Sequence, residues 1–112
     1  MTFDFNKLKR ETFDIIFPTE SEISLHVLRP LKNQLEELIT VSDVFDEISK
    51  NKKATPEQQK TLIETSAMVL SRNMEGKTYT PEDIERKFDV DDLFYLLDGY
   101  LSFVFSLSDR KN

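Results

Sequence analysis

"DLFYLLDGYLSFVFSL", Asp92 to Leu107, is the stretch whose reading decides the fold, because only Asp98, Ser102 and Ser106 interrupt it with plainly polar side chains. On a helical wheel with Asp98 at zero, residues advance by about 100° each. Asp91, Ser102, Tyr95, Ser106, Gly99 and Asp92 then fall between about 20° and 120°. Everything from Phe103, at about 140°, round to Phe105, at about 340°, is apolar or aromatic. The arc spans about 200°, roughly twice the width of an ordinary amphipathic surface stripe. Such a helix is the centre of a small bundle, or it keeps an edge of the arc open for a partner, and the two are compatible because only part of the arc need be exposed. The edge positions are Leu96, Phe103 and Leu107 on one side and Phe94, Leu101 and Phe105 on the other. These six are the candidate partner-binding residues. Monomers seldom expose contiguous apolar patches beyond a few hundred Å², so an open edge implies an interface.

Upstream of this segment, helix-start signals repeat. In "TPEQ", Thr55 is a natural N-cap, Pro56 fits the first helical position and Gln58 completes a capping box. Leu62, Ile63, Ser66, Ala67, Val69 and Leu70 form the inward face expected of that helix. "NMEGKTY" ends it, with Gly76 free to take the left-handed conformation that helix termini favour. "TPED", Thr80 to Asp83, opens a short helix with Ile84 and Phe88 inward, and Asp89 caps the final one. Earlier still, Leu31, Leu35, Leu38, Ser42, Phe45 and Ile48 step by three and four, which predicts a helix with Pro30 in its first turn. Before it, Phe13, Ile15 and Phe17 alternate, as do Ile23, Leu25 and Val27, around the turn-like "PTESE". Two period-2 runs about such a turn predict a β-hairpin. An isolated hairpin is marginal in water, so its apolar face must rest on the helices or pair with another chain.

These signals predict a mainly α fold: a small bundle of three to four helices with an N-terminal β-hairpin. One domain covers 1–112, with a loose arm over 1–11, the hairpin over 12–28 and the helical region over 30–107. At 112 residues the chain can bury a modest core without metal or disulfide.

Composition excludes several functions. The chain has 21 acidic against 15 basic side chains, a formal net charge of −6, which disfavours approach to a phosphate backbone. Nucleic acid is therefore not an expected partner. Without cysteine there is no disulfide, thiol catalysis or thiolate-bound metal. The opening "MTFDFNKLKRETF" lacks the apolar core of a signal peptide. The oily segment is shorter than the roughly 20 apolar residues a spanning helix needs, so no membrane is expected.

Catalytic readings fail on spacing. "GKT" at Gly76–Thr78 lacks the glycine a phosphate-binding loop needs five residues earlier, where Ser71 stands. "DVDD" at Asp89–Asp92 would need glycine and glutamate where Phe94 and Tyr100 stand to serve as a calcium loop. His26, the single histidine, sits between Leu25 and Val27 and points away from both, with no converging catalytic partner in the sequence. The expectation is a non-enzymatic protein with no cofactor and no metal.

The run "LSRNMEGKTYTPEDIERKFDVDDLFYLLDGYLSFV" resembles the tail assembly chaperones of long-tailed bacteriophages, particularly those of Gram-positive hosts. The positions that carry the likeness are Asn73, Glu75, Gly76, Lys77, Tyr79, Thr80, Glu82, Ile84, Phe88, Asp89, Val90, Asp92 and Leu93. The hairpin and the proline-led helix in front extend it over most of residues 12–107. The resemblance implies a small binding protein of the host cytoplasm, absent from the mature virion. Its partners would be the tape-measure protein and the tail-tube protein, with homo-oligomers possible. Two other classes fit the same residues: a structural or adaptor component, such as a head-tail completion or tail terminator protein, and a small regulatory binder of a host protein.

Overall fold

The computed structural model describes residues 1–109, with side chains described as far as Phe105; the edge position Leu107 lies outside the described side chains. The fold is mainly helical with a two-stranded antiparallel hairpin in front, as the periodicities predict. Strand β1 is Phe13–Ile15 and β2 is Leu25–Val27, followed by α1 (Lys32–Asn51), α2 (Pro56–Ser71), α3 (Pro81–Lys87) and α4 (Val90–Asp109). Among the described residues no helix is long and apolar enough to cross a membrane.

The start signals form as chemistry demands. Thr55 Oγ1 accepts the Gln58 N–H at 3.1 Å while Gln58 Oε1 accepts the Thr55 N–H at 2.9 Å. Thr80 and Asp83 repeat this exchange before α3. Asp89 and Asp92 repeat it before α4 at 2.8 and 3.0 Å. Each box satisfies backbone donors that a helix N-terminus otherwise leaves open.

Three local readings need correction. Pro30 precedes the first turn of α1 rather than entering it; Leu31 takes the N-cap position. Leucine has no acceptor, so only the reciprocal half of a box forms, with Gln34 Oε1 accepting the Leu31 N–H at 2.9 Å. Gly76 does adopt a positive φ, of 72°, but in the loop beyond α2, which already ends at Ser71. The left-handed C-cap belongs instead to Lys52, after α1, at φ 57°. On α1 the inward face runs through Leu38, Val41 and Ile48, while Ser42 and Leu31 are exposed.

The hub of the bundle is α2, which packs against α1, α3, α4 and β2. Small residues make this possible. Thr65, Ser66 and Ala67 are buried between Leu62, Val69 and Leu70, so neighbouring elements approach closely. The oily C-terminal helix joins the core through Leu93, Leu97, Tyr100, Leu101 and Val104, beside this hub.

Strand β2 is sealed on both edges. It pairs with β1 in the register Phe13↔Val27, Asp14↔His26 and Ile15↔Leu25. On its other side Val27 bridges to Asn73, with Leu28 N–H donating to Arg72 O at 2.7 Å and Met74 N–H to His26 O at 3.0 Å. Asn73 in turn ties its own loop, donating from Nδ2 to Leu70 O and Lys77 O and accepting the Lys77 N–H. Leu25 and Val27 are consequently enclosed in the core.

Candidate functional site

Burial along α4 follows the wheel. Tyr100, Leu93, Val104, Leu97 and Leu101, which occupy about 200° to 300°, are buried. That central arc, about 100° wide, is what an ordinary amphipathic helix buries. Both flanks are only partly covered. Phe103 packs on Phe13 at 5.7 Å and on Tyr100 at 6.0 Å between ring centroids. Phe94 packs on Phe45 of α1 at 5.1 Å. Leu96 is half-buried, and Phe105 is 41% exposed. Leu101 is not an edge residue: at 8% exposure it belongs to the core.

The hairpin closes over α4 through the Phe13 ring. A Cβ added on Gly99 would lie 3.2 Å from Cζ of Phe13, a tight contact that the ring would meet by giving a few tenths of an ångström. Phe13 also meets Tyr100 edge-on at 5.6 Å, and Tyr100 donates its hydroxyl to Leu28 O at 2.8 Å. Burial pushes the Tyr100 phenol well above its ordinary range, with partial relief from Arg72 and Arg29, so it stays a donor.

Beside that contact, an open groove of about 680 Å³ lies between the hairpin and α4. Its apolar lining includes Ile15, Phe17, Leu70, Phe88 and Leu96. Ile16 and Tyr95 line it as well, although they are 52% and 87% exposed. Asp14, Asp92 and Asp98 are the charged residues of the lining, and all three are acidic. Lys87 stands beside the groove, its Nζ 5.9 Å from the centre of the Phe17 ring. β1 pairs with β2 alone, so its other edge carries no ladder partner among the described residues. An unpaired edge beside an apolar trough is the geometry that accepts an extended apolar segment.

Of the five expected edge residues whose side chains are described, only Leu96 lines this groove. Phe94 and Phe105 lie on the opposite flank of the wheel, and Phe103 sits under the hairpin. Ile16 and Tyr95 were missed. Ile16 falls out of phase with the Phe13, Ile15 and Phe17 alternation, and Tyr95 sits among acids and serines on the wheel. Exposed apolar or aromatic residues on an otherwise polar face were the available signal.

His26 is paired with Glu75 across the edge of β2. Its Nδ1 lies 2.7 Å from Glu75 Oε2, and its backbone N–H donates to Glu75 Oε1 at 2.9 Å. The hydrogen bond to Glu75 raises the imidazole above its ordinary 6.5, burial partly opposes this, and the charge of Asp14 across the strand adds to it. The two donors of His26, backbone first, lower the Glu75 carboxyl below 4.5. The carboxylate thus closes the edge of β2 just beyond the Asn73 bridge. Among the described residues no group of three His, Cys, Asp or Glu side chains converges as a metal site.

Comparison with protein-family models, with curated proteins and with solved structures found no match.

Proposed function

We propose that this protein is a non-enzymatic tail assembly chaperone that holds an apolar segment of a tape-measure protein while a phage tail forms. The reading rests on the sequence likeness over residues 12–107 and on one structural observation, the acidic-rimmed apolar groove beside the unpaired edge of β1. A holdase needs a surface that takes apolar client segments without specifying their sequence. Main-chain pairing along β1 would supply affinity independent of side chains, and the trough would take alternate apolar residues. The acidic exterior keeps a complex of many copies soluble. In this role the protein acts in the host cytoplasm, meets the tail-tube protein during assembly and leaves before the virion is finished.

Co-expression with the long coiled-coil tail protein, followed by pull-down, tests the reading. The wild-type chain is expected to retain the client, and Ile16→Asp and Tyr95→Asp are expected to lose most of it at unchanged melting temperature. Retention by neither wild type nor variant sinks the proposal. Mass spectrometry of purified virions separates the structural and adaptor reading, under which the protein stays in the particle. Retention of a host protein instead of the tail protein points to the regulatory binder.

A further inference from the structure

We infer that the groove between the hairpin and α4 receives the N-terminal arm of a second copy of this chain, and that the exchange is reciprocal. The arm is the most exposed apolar segment described. Phe3, Phe5 and Leu8 are 76%, 68% and 58% exposed, and the two phenyl rings pack edge-on against each other at 4.7 Å. What fixes the arm locally is a three-residue 3-10 turn over Phe5–Lys7, capped by Asp4 and open to solvent. Such a turn gives way at little cost. Phe3 and Phe5 are two residues apart, so an extended arm turns both rings to one face, the spacing a strand needs to insert alternate side chains.

Charge picks the occupant. Lys7, Lys9 and Arg10 outnumber Asp4 and Glu11 in the arm, which gives it a basic excess in a chain of net charge −6. The groove presents Asp14, Asp92 and Asp98 with no base in its lining among the described residues. A free β1 edge supplies main-chain partners for the incoming segment.

Area favours exchange over a one-sided contact. One arm with its facing groove covers roughly half of what a specific interface buries, and two arms related by a twofold axis reach on the order of 1,500 Å². The twofold pairing is closed, so it stops at a dimer instead of growing into a fibre. This inference does not depend on the chaperone reading: the arm fits the groove whether or not a client ever displaces it.

The test is sedimentation of the full chain over a range of concentrations, with two variants. The wild type is expected to form a dimer that weakens as salt screens the arm from the rim. Phe3→Asp with Phe5→Asp is expected to weaken the dimer about tenfold or more, since two buried aromatics are lost. Its melting temperature as a monomer should not move, because both rings are already in water. Ile16→Asp should do the same from the groove side, and mixing the two variants should restore a heterodimer joined through one intact arm and one intact groove. Because the chain has no cysteine, Phe5→Cys with Ile16→Cys reports directly. A disulfide-linked dimer on a non-reducing gel supports the exchange. A disulfide within one chain, a monomer at every concentration, or a dimer indifferent to both aspartate variants overturns it.

Discussion

Helices α2 and α4 divide the labour in an order their compositions do not suggest. The first, "PEQQKTLIETSAMVLS", is half polar, yet it touches three helices and a strand. The second is the oiliest stretch of the chain, yet it buries only the middle of its apolar arc. Small residues let α2 be approached from several directions. The bulky rings of α4 fill one seam and then project past it on both flanks. Centrality in a small bundle thus goes to the helix that neighbours can reach closely, and surplus greasiness marks the helix that borders a surface.

The largest expected effect tests that contrast directly. Leu62→Ala, at a fully buried position of α2, should cost about 3 kcal/mol through lost burial and the cavity left behind. Phe105→Ala on α4, with 41% of its surface already in water, should cost less than about 1 kcal/mol. Chemical denaturation of both variants checks the difference, and equal losses would break the distinction between hub and border.

Next in size is Tyr100→Phe. The ring keeps its packing on Phe13 and Phe103, but Leu28 O loses its donor, so about 1 to 2 kcal/mol should go. A loss near zero would mean that α4 is fastened to the hairpin by packing alone.

The His26–Glu75 pair should give a smaller effect that depends on pH. The raised imidazole contributes fully below its ordinary value of 6.5 and loses its contribution as pH climbs through the raised value. The lowered carboxyl contributes fully above 4.5 and loses it as pH falls through the lowered value. The pair therefore helps most between about 4.5 and 6.5. Melting temperature measured against pH should decline above that window in the wild type and stay flatter in His26→Gln.

The smallest effect should have the opposite sign. Ser66 is fully buried on α2 and its Oγ has no hydrogen-bond partner. Ser66→Ala removes an unpaired polar atom from the hub and should leave stability unchanged or raise it by up to about 1 kcal/mol. A clear loss on thermal melting would show that the hydroxyl is satisfied within the hub.

What could be read in advance was local chemistry. Thr55, Thr80 and Asp89 mark helix starts because a cap is settled within four residues, whatever lies across the fold. The hairpin was legible for a similar reason, through the alternation of Phe13 to Phe17 and Ile23 to Val27. The bridge from Val27 to Asn73 was not legible, since a pairing one residue long has no period. Gly76 was placed at a helix end because glycine signals a positive φ but not which turn requires it. Leu101 passed for an edge residue because the wheel measures direction from the helix axis and not where a neighbouring helix lies. For the same reason the groove was only partly visible: Leu96 could be named, whereas Ile16 and Tyr95 matter through what the hairpin brings beside them.

Gly99 has a consequence for how the groove can change over time. Alanine there would strengthen α4 by about 1 kcal/mol as an isolated helix. It would also press on the Phe13 ring, 3.2 Å from the new methyl, and ask that ring to shift by a few tenths of an ångström. One absent carbon therefore acts as a spacing gauge: a single substitution on α4 would tune how closely the Phe13 ring seats at the wall of the trough.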